Sequence, residues 1–149
     1  MKIKEKTMPK TLERLHWKDA PDIWAPFIPI IKVKGGTTIY LAGTTAAPMY
    51  HHHPHRPEEF ESIPDDMEGQ ANEIMNKIKK SLDTAGGSLK DVVSATRYLK
   101  NMQDQDILNK VWEKNFGEYR PTTTTVEIST LAAHAKLLLE VTVTAVIDE

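Results

Sequence analysis

Residues 66–87 read DMEGQANEIMNKIKKSLDTAGG, and this stretch decides the fold because it predicts a long amphipathic helix. Its apolar residues recur at spacings of three and four, which places them on one stripe of a helix. They are Met67, Ala71, Ile74, Met75, Ile78, Leu82 and Ala85. Asp65 is the expected N-cap, with Glu68 three positions on, and the closing pair of glycines is a stop signal. The sequence therefore predicts a helix over residues 66–85.

A second helix and five strands surround this helix in the sequence. The second helix is predicted from an N-cap at Asp104 to a stop at Gly117, with five residues facing inward: Ile107, Leu108, Val111, Trp112 and Phe116. Segments rich in β-branched residues predict strands over residues 29–34, 37–43, 92–100, 122–130 and 137–147. Gly35 and Gly36, between the first two strands, predict a tight hairpin. The predicted order is β-β-α-β-α-β-β.

This order predicts a single α+β domain in which two helices cover one face of a mixed sheet. The strands are apolar on both faces, so the second face needs another cover, and self-association is the economical one. Two segments depart from the pattern. Residues 1–21 are polar and predict an N-terminal arm before a domain at residues 22–149. Residues 46–64 hold four prolines and a histidine run, and they predict a long loop.

The composition excludes several classes of function. The chain has 149 residues, enough for one core, and no cysteine, which excludes disulfides, thiolate zinc sites and cysteine nucleophiles. A signal peptide and a membrane-spanning apolar run are not found, which favours the cytoplasm and no membrane partner. Lys and Arg number 19 against 21 Asp and Glu, and the basic cluster Lys77, Lys79 and Lys80 is predicted on a solvated helix face. We therefore expect no nucleic-acid partner.

Four segments resemble the Rid (reactive intermediate deaminase, or YjgF) family. They are AGGSLKDVV at residues 85–93, LKNM at 99–102, NFGEYRPTTTTVE at 115–127 and LEVTVTAV at 139–146. The resemblance implies a chorismate-mutase-like fold and a homotrimer with three clefts between subunits, each taking a small molecule. It also implies hydrolysis of enamines and imines to a carbonyl compound and ammonia, with no metal and no cofactor.

The resemblance also implies site residues. The family places an arginine that clamps a substrate carboxylate where this chain has Thr123, and a hydroxyl cannot replace a bidentate guanidinium. Glu140 matches the acidic residue that helps to hold the hydrolytic water. Phe27 stands where many members have a cleft tyrosine, Gly43 matches a glycine whose backbone lies against the substrate, and Ala42 replaces a common serine. The expected ligand is therefore less polar, or held differently.

Strand alternation extends this set of residues. Thr123, Thr125 and Glu127 should share one face of their strand, and Glu140 should share a face with Thr142 and Thr144. If Thr123 faces the cleft, a hydroxyl-lined pocket with carboxylates results, which suits general acid/base activation of water. Glu140 lies in an apolar run, so it is interpreted as a water-activating base, with an exposed strand-edge position as the alternative.

Other charged and imidazole groups have two interpretations each. Arg97 is either exposed beside Asp91 or Glu118, the preferred interpretation, or supplies the missing positive charge from a neighbouring subunit; Arg120 is a second candidate for that charge. The histidines of residues 51–55 could bind a transition metal. Adjacent histidines in an extended loop point in alternating directions, and no acidic residue has a ligand spacing, so a solvated loop at the cleft mouth is favoured.

The preferred function is hydrolysis of an enamine, an imine or a similarly activated unsaturated small molecule. His134, in the loop before the last strand, resembles the aminomuconate-deaminase branch of the family, which implies ring-fission intermediates of aromatic catabolism as a substrate class. A non-catalytic trimeric small-molecule binder or chaperone-like protein is the alternative, favoured by the loss of the arginine. The endoribonuclease activity that an older family label suggests is the weakest hypothesis, since no basic groove is predicted.

Overall fold

The computed structural model describes residues 9–148, in which seven strands and two α-helices occur. The strands are β1 (Thr11–Leu15), β2 (Ile30–Lys34), β3 (Thr37–Tyr40), β4 (Thr44–Thr45), β5 (Val92–Leu99), β6 (Thr122–Glu127) and β7 (Leu139–Ile147). The helices are α1 (Met67–Thr84) and α2 (Gln105–Phe116), and short 3-10 helices lie at Pro57–Phe60, Leu89–Asp91 and Met102–Asp104. Every predicted helix and strand is present, and β1 and β4 are additional. No helix in these residues is both long and apolar enough to cross a membrane.

Helix α1 forms where the apolar stripe predicts it. Its buried residues are Met67, Gln70, Ala71, Ile74, Met75, Ile78 and Leu82. The N-cap is Asp66, whose carboxylate accepts a hydrogen bond from Gly69 N at 2.8 Å. The expectation of Asp65 as the cap was therefore wrong by one residue, because Asp65 points to solvent and contacts Lys136 Nζ at 2.7 Å. Gly86, with φ at 85°, follows the helix in the left-handed conformation that favours glycine.

Helix α2 begins after Asp104 and ends at Gly117, as predicted. Four of the five expected inward residues are buried: Leu108, Val111, Trp112 and Phe116. Ile107 is 42% exposed, so its predicted inward position was wrong. Ile107 precedes Leu108 by one residue, which rotates it about 100° around the helix from the buried stripe.

The main sheet has five strands in the order β3-β7-β5-β6, with β4 also paired to β7 beside β3. The β5–β6 pair is parallel and the other pairs are antiparallel, so the sheet is mixed. Both helices pack on one of its faces. The core there includes seven residues of the two central strands: Val92, Ala95, Leu99, Leu139, Val141, Val143 and Ala145. The fold is α+β with its helices on one side, as the element order predicts.

The other face of the sheet, called here the open face, is rich in hydroxyl groups. Its central residues are Ser94, Thr96, Tyr98, Thr122, Thr124, Thr142 and Thr144, which the strand register places side by side. Tyr40 and Val126 are also on this face and are exposed. The expectation that both faces are apolar was therefore wrong, because the apolar residues of β5 and β7 concentrate on the helix side. No described segment of the chain forms a second helical layer over the open face.

The predicted hairpin between β2 and β3 was wrong. β2 pairs with β1 in a separate two-stranded sheet, whereas β3 pairs with β7. Gly35 and Gly36 do form a turn, with φ at 71° and 80°, but it leads the chain from one sheet into the other. The strand β1 lies within residues 1–21, which were expected to be an arm; Met1 to Met8 lie outside the described residues.

A second, smaller core holds the long loop of residues 46–64 against the domain. It consists of Ala46, Ala47, Phe60, Ile63 and Leu137. Lys77 of α1 helps to fix this loop, because its ammonium donates to the Thr45 carbonyl at 3.0 Å and also to the Ala47 carbonyl. The expectation of a fully solvated lysine cluster was thus wrong for Lys77, whose pKa is lowered by burial, while Lys79 and Lys80 are exposed.

Candidate functional site

Gly43 and Glu140 meet where β4 pairs with the start of β7. Thr45 is the register partner of Glu140, and the chain between β3 and β4 passes directly over the glutamate side chain. A Cβ added to Gly43 would overlap Oε1 of Glu140, so any larger residue at position 43 would push the carboxylate out of its present position. The structure therefore brings together two of the residues that the sequence singles out, and Ala42 lies next to them.

Glu140 stands between two depressions of the surface. The first, called here the glutamate cleft, has a volume of about 160 Å³ and is lined by residues that include Gly43, Thr45, His51, Ala133 and Glu140. The second lies on the open face, has a volume of about 350 Å³, and includes Tyr98, Leu131 and Thr142. Glu140 is half-buried, and its carboxylate has no hydrogen bond or ion pair with residues 9–148. Its lone pairs are therefore available to water or to a bound molecule.

Thr123, Thr125 and Glu127 share the face of β6 that lies on the helix side of the sheet, where Thr123 and Thr125 are half-buried and Glu127, at the end of the strand, is exposed. Their register partners on β5 are Ala95, Arg97 and Leu99, all of them buried in the core. Glu127 accepts a hydrogen bond from the backbone of Met102 at 2.8 Å, just before α2. Glu140 is paired with Tyr98 and therefore projects from the opposite face. Within one chain these three residues therefore do not line a pocket with Glu140. Strand alternation predicted that the three share a face, but it could not show which face of the strand lies toward the helices.

Arg97 is fully buried, so the interpretation of an exposed arginine was wrong. Its side chain is 0% exposed and lies under α2, with the guanidinium 5.1 Å from the ring of Trp112. Nε donates to Thr125 Oγ1 at 2.9 Å and Nη1 donates to Asn109 Oδ1 at 2.8 Å. No carboxylate in residues 9–148 contacts it, and burial lowers its pKa to about 10. In this chain Arg97 is part of the core and is not available as an anchor for a ligand on the open face.

Phe27 and Arg120 line a different concavity, called here the apolar groove, with a volume of about 470 Å³. Arg120 Nη1 donates to the carbonyl of Ala25 at 2.7 Å, and its guanidinium lies 5.9 Å from the ring of Trp24. The hydroxyl of Thr123 donates to the carbonyl of Pro121 at 3.2 Å near this groove. Arg120 thus holds the segment before β2 in place, and Phe27 is 43% exposed beside it.

Six of the predicted site residues fall into two groups at opposite ends of the sheet, whereas Glu127 is level with Leu99 and Leu139, at the same end as Glu140 but on the other face. Glu140 pairs with Tyr98, whereas the beginning of β6 is level with Ser94 and Thr144. Four residues along a strand correspond to about 13 Å. The group formed by Ala42, Gly43 and Glu140 cannot touch the group formed by Phe27, Thr123 and Arg120 within one chain.

Three histidines beside the glutamate cleft converge. The side chains of His51, His53 and His55 place their nitrogen atoms within 4.8 Å of one another, and His51 lines the cleft. His52 points away and binds the carboxylate of Glu59, an interaction that lowers the pKa of Glu59. The chain bends at His53 and Pro54, and this bend brings the ring of His55 to 5.0 Å from that of His51 although the two are four residues apart. The sequence indicated an extended loop with histidines pointing in alternating directions, so it did not reveal this convergence.

His134 also lies near this cleft but faces another way. Its Nδ1 accepts a hydrogen bond from Lys136 N at 3.0 Å, and its ring stacks on Phe60 with centroids 5.3 Å apart. His134 therefore shapes the loop before β7 and is not part of the histidine cluster.

Known proteins are similar to most of this chain. The family described as Endoribonuclease L-PSP matches residues 17–147. A RutC family protein of Pyrococcus abyssi is 34% identical over 128 residues, which are 86% of this chain and 93% of that protein. The 3-aminoacrylate deaminase RutC of Acinetobacter baylyi is 35% identical over 63 residues, 42% of this chain and 50% of the enzyme.

A solved structure is similar in fold as well. The crystal structure of a YjgF/YER057c/UK114 family member from Mycobacterium tuberculosis superposes with a TM-score of 0.62 and 28% identity. The match covers 77% of this chain and 83% of that protein.

Proposed function

Because this chain belongs to the Endoribonuclease L-PSP family, also called the Rid or YjgF family, we propose that it hydrolyses an enamine, an imine or a similarly activated unsaturated small molecule. At the family level a deaminase-type function is supported, since relatives include the RutC deaminase and a 2-iminobutanoate/2-iminopropanoate deaminase of Escherichia coli. The latter is 28% identical over 81 residues, 52% of this chain and 63% of the enzyme. The proposal for this chain also needs a suitable site.

The observation that carries the proposal is the half-buried, unpaired carboxylate of Glu140 against the backbone of Gly43. In the proposed reaction the carboxylate accepts a proton from water while the water oxygen attacks the carbon of the imine protonated on nitrogen, which gives an amino alcohol. The carboxylic acid then returns this proton to the nitrogen. The C–N bond breaks as the hydroxyl proton passes to the carboxylate, and the products are a carbonyl compound and ammonia. An enamine enters the same sequence after protonation on carbon. A positioned acid/base group of this kind contributes roughly 10²–10⁴-fold to rate.

The positions of the charged side chains limit which substrates the site can bind. Simple 2-imino acids carry a carboxylate, and within residues 9–148 no lysine or arginine lines either depression beside Glu140. Arg97 is buried in the core, Arg120 lies in the separate apolar groove, and the clamp position is Thr123. We therefore propose a substrate without a carboxylate next to the reacting carbon. Ring-fission intermediates of aromatic catabolism are one class, restricted to those that meet this condition, which 2-aminomuconate itself does not.

A homotrimer would unite the two separated groups of site residues. In that arrangement Glu140 of one subunit and Phe27 of another would border a single cleft, with Arg120 behind it. The separation of these groups within one chain supports this proposal, because neither group alone forms a closed binding site.

The function is tested by measuring ammonia release from freshly generated enamines and imines. Glu140→Gln should lower the rate by about 10²–10⁴-fold, because the amide cannot accept the proton of water. Gly43→Ala should also lower the rate, since its Cβ displaces the Glu140 carboxylate. Glu118→Gln, an isosteric change at an exposed carboxylate of residues 9–148, is the matched control and should leave the rate unchanged. Equal rates for the control and Glu140→Gln would refute the assignment of Glu140.

Non-catalytic binding is the second candidate function, favoured by the lining of the glutamate cleft, which includes no lysine or arginine from residues 9–148. It predicts saturable binding of small unsaturated ligands with no ammonia release. Under this alternative Glu140→Gln would change the affinity for the ligand, and no substrate in the panel would be turned over.

A further inference from the structure

We infer that His51, His53 and His55 form a binding site for a divalent transition metal, with Zn²⁺ as the ion that best fits the donors. The three imidazoles lie within 5.0 Å of one another between ring centroids. Their ligand nitrogens lie within 4.8 Å of one another. This site is independent of the proposed hydrolysis, because neither its donors nor its test involves a substrate.

The geometry is close to that of a metal centre. A tetrahedral zinc ion with Zn–N distances of about 2.0–2.1 Å holds its nitrogens about 3.3 Å apart. Contraction from the observed spacing requires only side-chain rotations, and these are open to His53 and His55, which are exposed. Exposed imidazoles can thus close on an ion without a change in the core.

His51 already has the second hydrogen bond that orients many metal-binding histidines. Its Nδ1 lies 2.9 Å from the carbonyl oxygen of Pro48, a distance at which an N–H on that nitrogen donates to the carbonyl. Such a bond fixes the tautomer and leaves Nε2 as the lone-pair donor. An outer hydrogen bond of this kind is the usual companion of a histidine ligand.

The segment that carries the cluster is held from below. The rings of His51 and His55 each contact the ring of Phe60 at 5.2 Å between centroids. Phe60 is 2% exposed and belongs to the small core that anchors the loop. His52 also anchors the segment, because its backbone N–H donates a hydrogen bond to the Glu59 carboxylate at 3.0 Å. Two of the three donors, His51 and His55, therefore lie against a packed support, which reduces the loss of entropy when an ion binds.

The donor set selects the kind of ion. Neutral imidazole suits zinc, copper and nickel, whereas calcium and magnesium require oxygen donors. Three protein ligands leave a fourth position of a tetrahedral ion for water or for an oxygen of a small molecule. Because His51 also lines the glutamate cleft, that position would be next to the cleft.

The test is Zn²⁺ binding by the full chain, measured in competition with a chromophoric chelator and without any substrate. The wild type should bind one ion per chain. His53→Asn and His55→Asn should each weaken binding by more than about tenfold, since loss of even an outer-sphere partner costs roughly 10–100-fold in metal affinity.

His52→Asn is the matched control, because asparagine can still donate to Glu59 while the imidazole is lost. It should retain the affinity of the wild type, and Co²⁺ bound to either protein should give the same visible spectrum. Thermal unfolding without metal should be similar for all four proteins, which shows that the variants are folded. Failure of the wild type to bind one equivalent, or an equal loss of affinity in His52→Asn, would overturn the inference.

Discussion

At the scale of single residues, the most unusual feature is a guanidinium buried without a carboxylate. Arg97 satisfies two of its donors with Thr125 and Asn109, and it packs on Trp112. Moving a charge from water into the core costs free energy, and hydrogen bonds to neutral acceptors offset only part of this cost. The volume of the side chain should therefore stabilise the fold, whereas its charge should not.

Two substitutions separate volume from charge at this position. Arg97→Met keeps most of the volume and removes the charge, whereas Arg97→Ala leaves a cavity under α2. We expect Arg97→Ala to be less stable than Arg97→Met by about 2–5 kcal/mol, the usual cost of truncating a large buried side chain to alanine. Urea unfolding at neutral pH measures the difference. Equal stability of the two variants would show that the site collapses around alanine.

The lowered pKa of Arg97 predicts how the stability of the fold depends on pH. The folded pKa of Arg97 is about 10, below the ordinary range of a guanidinium, so the unfolded chain binds more protons than the folded chain above pH 10. The stability of the wild type should therefore rise relative to Arg97→Met as the pH increases through 10. Unfolding curves of both proteins at pH 8 and pH 10.5 provide the comparison. A constant difference in the free energy of unfolding would show that the charge is not penalised by burial.

At the residue level, local rules in the sequence reached only part of the arrangement. Resemblance to the family indicated Gly43 and Glu140 as site residues, which stays a prediction, and the structure places the two next to each other. Alternation grouped Thr123, Thr125 and Glu127 correctly. It could not show that this group faces the helices, because the pleat of β6 is fixed by β5, whose buried residues are known only once the sheet is assembled. The position of Arg97 was missed for the same reason.

At the scale of elements, the start of α1 shows how far local signals reach. Asp65 and Asp66 are both good N-cap residues, and only the geometry of the hydrogen bond to Gly69 distinguishes them. We expect Asp66→Ala to reduce the free energy of unfolding by about 1 kcal/mol, within the usual 0.5–2 kcal/mol range for an N-cap. Asp65→Ala should change it by less than about 0.5 kcal/mol, as for other exposed positions. A larger loss for Asp65→Ala would assign the cap to that residue.

Strand pairing was the part of the element pattern that the sequence did not reveal. The glycine pair before β3 indicates a turn, but turn residues do not determine which strands pair across it. The true partner of β2 is β1, a short strand in a polar segment with little strand signal. Helices were predictable because their period is local, whereas these pairings depend on contacts far apart in the sequence.

At the scale of the whole molecule, the open face and the divided site lead to the same expectation. The protein should be a homotrimer in solution, with a mass three times that of the 16.8 kDa chain. Light scattering after size-exclusion chromatography at micromolar concentration measures this mass. Thr124→Arg places a charge on the open face and should lower the mass, whereas Asn76→Arg, on the exposed side of α1, should not. A monomeric wild type would refute both the trimer and the shared cleft.

The construction of the glutamate cleft also bears on how the ligand of such a protein can change during evolution. Much of the wall comes from residues 46–64 and 128–136, which lie outside the strands of the main sheet. Both segments are tied to α1 by the buried side chain of Gln70, which donates to the carbonyls of Pro64 and Lys136 at 2.9 Å each. Loops of this kind tolerate insertion and exchange because the ladder of the sheet does not pass through them. A protein with this fold can therefore acquire a new ligand through changes in two loops that share one anchor, while the sheet stays the same.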